Sequence, residues 1–377
     1  MDFFDREQEC EDLWSLFGDG KNVLMLAPRR IGKTEMLHQL SEQSKEKNYR
    51  AVMIDLEGYR DEKQFIYELC SAIQQEIGAG KSLLASVTQR IKQVVGAKNP
   101  VDDWRQLLLI VDWHEFAQHL LQELDTDGQP WMIMVDELPI FILALLNAGP
   151  EKRAHEFLHW LRNLRQKFRN IRWLYTGSIG LDAVARRESL EGALVDMEIF
   201  PLKPFTDPTA TAFVKVVIAR RNCAFENDDA PERMLASIGW LAPFYLEKIA
   251  EMACRRMPLD DIITKEVIEA AERDMLSHEH RLYWSTWREH LDKNFIDPVR
   301  THLYTVLSAI ARDPEGATID TLLNQLSSSV NVDRATVVDL LHTLEADGYV
   351  LRCANDPSRY RFRMNLLRLW WLSYIVS

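Results

Sequence analysis

The chain has 377 residues, more than one ordinary hydrophobic core accommodates, so two or three domains are expected. A hydrophobic content of 47% with 27% charged residues excludes a disordered chain. The formal net charge of −12 excludes the whole molecule as a non-specific binder of nucleic acid or anionic membrane, though not a local basic patch. Five cysteines (Cys10, Cys70, Cys223, Cys254, Cys353) lie scattered, without a C-x-x-C pair. That spacing fits buried thiols in a reducing compartment better than a disulfide or zinc framework. The N-terminus has no signal-peptide pattern. The run 131–146 is broken by Asp136 and Glu137, and 366–376 is too short to span a bilayer, so a cytoplasmic location without membrane contact is expected.

An amphipathic helix opens near Asp5 and carries Leu13, Leu16 and Phe17 at helical spacing; Gly18-Asp19-Gly20 ends it. A short apolar strand, 23–26, then leads into Ala27-Pro28-Arg29-Arg30-Ile31-Gly32-Lys33-Thr34 and the start of a helix. The loop ends in Gly-Lys-Thr as the phosphate-binding pattern G-x-x-x-x-G-K-[ST] does, with Ala27 where the first glycine is expected. Backbone N–H groups curled ahead of a helix N-terminus suit phosphate oxygens. Gly32 permits close approach, Lys33 reaches outer phosphates, and Thr34 offers a hydroxyl to Mg²⁺. A second strand, 51–56, completes a strand–helix–strand unit and implies a parallel sheet with a right-handed crossover. The stretch 65–77 reads as a helix. Residues 78–129 show no convincing strand and read as a helical insertion, with helices at 82–95 and 113–124 and with Trp104 and Trp113 as packing anchors.

The apolar run 131–135 ends in Asp136-Glu137, as a strand buried on both faces would. Ligands of parallel sheets bind at the carboxyl ends of the strands. There Asp136 is placed to hold Mg²⁺ and Glu137 to polarise an attacking water. The helix expected over 151–169 contains His155-Glu156-Phe157-Leu158-His159, a literal H-E-x-x-H. No third metal ligand follows, and coincidence is the better reading. The strand 172–175 runs into Thr176-Gly177-Ser178, where a polar side chain would sense a terminal phosphate; Ser178 is preferred over Thr176. Arg186 and Arg187 follow as charge-stabilising candidates. A last sheet strand is expected over 195–202.

These motifs resemble the STAND-type P-loop ATPases, in particular the prokaryotic archaeal-type ATPases, which are related to the AAA+ proteins. The resemblance rests on Phe4-Asp5-Arg6-Glu7, Pro28–Thr34, Val135-Asp136-Glu137, Thr176-Gly177-Ser178 and Leu202-Lys203-Pro204-Phe205. Gly239-Trp240-Leu241-Ala242-Pro243 looks like the family's glycine-x-proline segment, with its spacing stretched by two residues. The resemblance implies ATP and Mg²⁺ as ligands, with Arg6 and Pro243 beside the nucleotide. It also implies a fold: an α/β P-loop NTPase core over residues 1–205, a helical lid over 206–295 and a winged-helix domain over 296–377.

The lid reads as helices at 208–221, 231–237, 243–256 and 264–276. The last part reads as helices at 301–310, 318–326 and 332–346, a hairpin from 349–352 and 359–362, and a closing helix at 367–371. From Ile296 onward there are 8 arginines, no lysines and 9 acidic residues, a balance of −1. A helix that must approach phosphates should not be this acidic. Only Arg352, Arg359, Arg361 and Arg363 on the wing offer a DNA backbone contact.

The leading expectation is an ATP-dependent switch with slow hydrolysis through Lys33, Glu137 and Ser178, whose nucleotide state is passed to a protein partner, with oligomerisation open. Family resemblance suggests defence or regulation as settings. Two other readings stand beside it. One is a DNA-associated initiator or loader ATPase; the other is a nucleotide-stabilised scaffold, which Ala27 keeps open.

Overall fold

The computed structural model describes residues 3–78, 88–89, 103–148, 152–177, 190–256, 262–327 and 332–376. Contacts divide the chain into two compact units. One takes in the N-terminal residues up to Ala27 and Lys33–Leu202; the other combines Lys203–Ser377 with the loop residues Pro28–Gly32.

The first unit is built on a five-stranded sheet: β1 (Asn22–Leu26), β2 (Arg50–Asp55), β3 (Trp131–Asp136), β4 (Ile171–Tyr175) and β5 (Met197–Pro201). The spatial order is β2-β3-β4-β1-β5, and every neighbouring pair is parallel. The helices are α1 (Glu7–Gly18), α2 (Lys33–Gln43), α3 (Glu62–Ile77), α4 (Trp104–Ile110), α5 (Trp113–Asp125), α6 (Leu138–Ala148) and α7 (Lys152–Lys167).

Strand alternation assigns the two faces. Leu24, Ile54, Val135 and Tyr175 join one core with residues of α3 to α7, including Phe65, Phe116, Phe141 and Phe157. The opposite face meets α1 and α2, which are pinned together by Trp14 Nε1 donating to Gln43 Oε1 at 2.8 Å. All six residues of β3 are buried. A strand covered on both faces loses its alternation, which is why this segment reads as one apolar run. Helix α6, just past Asp136-Glu137, is itself apolar on nearly every side (Leu138-Pro139-Ile140-Phe141-Ile142-Leu143), so periodicity does not reveal it.

The first helix begins two residues later than expected, because Asp5 sits at φ +47° and Arg6 occupies the N-cap. The expected strand over 195–202 is shortened to β5, since residues 191–193 form a 3₁₀ turn that ends just before it. The helix expected over 82–95 lies almost entirely outside the described residues.

The second unit carries α8 (Asp207–Ala219), β6 (Ala224–Phe225), α9 (Ala230–Ile238), α10 (Pro243–Arg255), β7 (Ile262–Ile263), α11 (Lys265–Met275) and α12 (Leu282–Asn294). Thr206 caps α8 by accepting from Thr209 N–H, and Gly239 at φ +75° ends α9 in the left-handed conformation that glycine adopts freely. Then come α13 (Val299–Ala311), β8 (Ala317–Thr318), α14 (Ile319–Ser327), α15 (Arg334–Ala346), β9 (Val350–Cys353), β10 (Asp356–Phe362) and α16 (Asn365–Trp371). The last three strands form an antiparallel sheet in the order β8-β10-β9. Three helices, a hairpin and a closing helix follow in the order the sequence predicts; the short β8 pairing was not foreseen. Among the described residues no helix is long and apolar enough to cross a membrane.

Candidate functional site

The loop after β1 is set by backbone conformations that the residue types only partly favour. Arg30 lies at φ +69° and Gly32 at φ +97°, whereas Ala27 is not among the positive-φ residues. A glycine is therefore not required at position 27 on conformational grounds. The strained position is Arg30, at a cost of about 1–2 kcal/mol for a residue with a Cβ. Helix α2 starts at Lys33, whose buried amine donates to the Ala27 carbonyl at 3.0 Å.

Thr34, one residue into α2, donates from Oγ1 to Asp136 Oδ2 at 3.3 Å. Asp136 is only 5% exposed, and its Oδ1 accepts the Glu137 N–H at 2.9 Å. Burial pushes its carboxyl above the usual range. Lys33, the Glu137 N–H and Thr34 pull the other way, while Asp55, its register neighbour on β2, adds to the rise. A hydroxyl and a carboxylate at this separation are hard oxygen donors suited to Mg²⁺. A divalent cation would favour the ionised carboxylate that burial opposes.

Glu137 itself sits at φ +54°, another left-handed residue with a side chain. The turn is held from below, where the Leu138 N–H donates to the Thr176 carbonyl at 3.2 Å. Gly177 then passes so close that a Cβ there would stand 2.5 Å from Pro139 Cδ and 3.4 Å from Glu137 Oε2. Only glycine fits without displacing the proline ring.

Within the second unit the tip of the same loop is gripped by aromatic and glycine residues. The Arg30 guanidinium lies 4.5 Å from the centre of the Phe244 ring, and its Nη2 donates to Thr286 Oγ1 at 3.4 Å. Pro28 abuts Gly348, which has φ +87° and where a Cβ would stand 2.7 Å from Pro28 Cβ. Beneath them, Trp287 Nε1 donates to the Tyr245 hydroxyl at 2.5 Å, and the Tyr349 hydroxyl donates to the Trp287 carbonyl at 2.6 Å. Burial pushes the Tyr245 hydroxyl up to about 12 against the opposing charges of Arg30 and Arg29.

No protein-family model matches the chain, and no curated protein matches it. Solved structures do. A Walker-type ATPase of Pyrococcus abyssi superposes with a TM-score of 0.67 at 16% identity, over 98% of this chain and 95% of that one. The ORC2 protein of Aeropyrum pernix, in ADPNP–ADP complexes, gives a TM-score of 0.55 at 12% identity, over 100% of this chain and 96% of that one. The fold is that of a P-loop ATPase.

The remaining sequence candidates fall around that P-loop unevenly. Lys33, Thr34, Asp136 and Glu137 come together in the first unit, and Ala27 meets Lys33 through its carbonyl. Ile31 is fully buried within the P-loop. Pro243 is the first residue of α10, next to the Phe244 that holds Arg30. Arg6 is buried and bonded to Glu9 at 2.6 Å. Ser178, Arg186 and Arg187 lie outside the described residues.

Thr176, ranked below Ser178 on sequence, is 1% exposed, and among the described residues its Oγ1 has no hydrogen-bond partner. It follows the Tyr175 that pairs with Val135, so it shares the Asp136 face of the sheet. Sequence reasoning missed Phe244 and Gly348. No local pattern marks either, since their role comes from long-range contact with the P-loop.

The four arginines expected to reach a DNA backbone are largely committed within their own module. Arg352 donates to the Tyr360 hydroxyl at 2.7 Å, Arg359 to the Gly316 carbonyl at 3.1 Å, and Arg363 to the carbonyls of Glu345 and Val350 at 3.3 Å. Arg361 is exposed. On α15, Arg334 pairs with Asp320, leaving Asp339 exposed and Glu345 accepting the Arg352 N–H.

Proposed function

We propose that this chain is an ATP-binding, slowly hydrolysing molecular switch. Lys33 and the backbone N–H groups of the P-loop hold the outer phosphates, while Thr34 and Asp136 hold Mg²⁺. Glu137 orients and activates the attacking water, and Thr176 or Ser178 senses the terminal phosphate. Arg6 and Pro243 are the remaining nucleotide contacts. Nucleotide state is transmitted to the region 203–377, which presents it to a protein partner.

The observation that carries this reading is the grip on the P-loop tip. Arg30 on Phe244 and Pro28 against Gly348 tie the conformation of a phosphate-binding loop to α10 and to the turn before β9. On this reading, phosphate bound by the loop backbone biases the loop conformation and, through the Arg30 and Pro28 side chains, the contacts with Phe244 and Gly348. Domains at residues 1–205, 206–295 and 296–377 are the matching division of labour. The DNA-associated reading rests on fewer groups, because three of the four wing arginines already bond within their module.

Hydrogen exchange with and without ATP·Mg²⁺ tests the switch. The reading expects protection to change around Phe244–Ile249 and Asp347–Val350. Equal exchange in both segments under saturating nucleotide would sink it.

A further inference from the structure

A cavity of about 500 Å³ in the second unit is lined by none of the residues assigned so far. One wall is a ridge of α13 and its C-cap, where Arg300, Tyr304, Ser308 and Arg312 recur every four residues. From end to end that ridge runs about 18 Å. Gln325 contributes from α14, and Ile375 from the turn after α16. No carboxylate is among the lining residues.

Hydrogen-bond accounting separates the lining groups already used from those left for a ligand. Thr301 Oγ1 donates to Asp297 Oδ1 at 2.6 Å, and the Tyr304 hydroxyl donates to Asp292 Oδ1 at 2.9 Å. Thr305 Oγ1 donates to the Thr301 carbonyl at 3.0 Å, and Arg300 Nη2 donates to Asp297 Oδ2. Ser308 differs. Its Oγ accepts from Nε1 of the buried Trp371 at 3.2 Å, which fixes the oxygen, and among the described residues the hydroxyl hydrogen has no acceptor. Arg312, one turn further along, is exposed, and among the described residues its guanidinium has neither an ion pair nor a hydrogen bond. The adjacent Asp313 accepts the Glu315 N–H at 2.9 Å through Oδ1. What Ser308 and Arg312 have left to offer the cavity is donors and a positive charge.

We infer that this cavity is a binding site for the phosphate group of a small phosphorylated molecule. Arg312 holds two phosphate oxygens with its planar fork, and the Ser308 hydroxyl donates to a third. A tetrahedral phosphate satisfies the fork and the hydroxyl together, whereas the fork alone occupies both oxygens of a carboxylate. Ile375 gives the body of the ligand an apolar wall, and the volume is that of a metabolite site. Arg300 stands at the other end of the ridge and is already paired with Asp297, so the phosphate lies at the Arg312 end.

The test is isothermal titration calorimetry of the full chain with inorganic phosphate and with glycerol 3-phosphate. Saturating ADP·Mg²⁺ keeps both probes off the P-loop, and the Lys33→Ala chain repeats the titration without nucleotide, so the outcome is independent of the switch reading. One saturable site per chain is expected, tighter for glycerol 3-phosphate. Affinity should fall at least about tenfold in Arg312→Gln and about fivefold in Ser308→Ala. Arg334→Gln, which alters an exposed arginine outside the cavity, should bind as the wild type does. Failure of both probes to saturate overturns the inference, whether or not a single-stranded oligonucleotide binds in their place. Wild-type affinity in Arg312→Gln, or an equal loss in Arg334→Gln, overturns it too. Binding of inorganic phosphate alone overturns the assignment to a phosphorylated molecule. Arg312 is exposed, so its replacement leaves the fold intact and the comparison decisive.

Discussion

Replacing Gly177 by alanine probes the turn that carries Glu137. The added Cβ would stand 2.5 Å from Pro139 Cδ and 2.7 Å from Cγ. Carbon atoms in ordinary contact sit about 3.5–4.0 Å apart, so the ring must retreat by about 1 Å. It cannot do so cheaply, because Pro139 lies in the first turn of α6, anchored by the buried Phe141, Ile142 and Leu145. Overpacking of this kind costs about 1–3 kcal/mol. The displacement also strains the Leu138–Thr176 hydrogen bond, and with it the placement of Glu137. Thermal unfolding and phosphate release measured on one preparation are the assay. Gly177→Ala should lower the melting temperature and reduce turnover more than ATP affinity. Gly18→Ala is the control, since nothing lies within 4 Å of its Cβ. A Gly177→Ala chain as stable and as active as the wild type would refute the reasoning.

Three further outcomes are expected. At Arg30, with φ +69°, Arg30→Gly should melt higher than Arg30→Ala by the equivalent of about 1 kcal/mol, the reverse of the usual order; equal melting would mean the left-handed strain is absent. Phe244→Leu removes the ring under Arg30 and should make tryptic cleavage after Arg29 or Arg30 about fivefold faster, corresponding to a cation–π contribution of about 1 kcal/mol; unchanged cleavage would count against the grip. Asp136→Asn should abolish Mg²⁺-dependent binding yet stabilise the nucleotide-free chain at neutral pH. Burial raises this carboxyl in the folded state, so the fold keeps its proton longer than the unfolded chain does, and stability falls as pH rises through that range. The advantage of the asparagine should vanish below about pH 3, where both states are protonated, and a stability gap that persists there would contradict the assignment to Asp136 charge.

Much of the first unit could be read from local pattern. Gly32-Lys33-Thr34 after an apolar strand and Asp136-Glu137 at the end of another are short-range signals, and the sheet brings Thr34 to Asp136 as parallel strand ends require. What stayed hidden depends on tertiary contact. The concern over Ala27 assumed that the loop needs its unusual backbone there, whereas the positive φ falls at Arg30 and Gly32. Helix α6 was concealed because its apolar residues surround it, leaving no stripe to detect. Phe244 and Gly348 are unreadable in the sequence because each draws its meaning from a residue far away along the chain. The arginines of the β9–β10 hairpin and its end show the converse. Composition offered four free cations, and the structure bonds three of them to a hydroxyl or to carbonyls of their own module.

The most direct test of the central claim is ATP binding and phosphate release measured together for the wild type, Lys33→Ala and Glu137→Gln. The switch account predicts that Lys33→Ala loses ATP affinity by at least about tenfold, the loss of roughly one charge-assisted hydrogen bond. It predicts that Glu137→Gln binds ATP as the wild type does but no longer releases phosphate. Undiminished binding by Lys33→Ala, or wild-type phosphate release by Glu137→Gln, would contradict it.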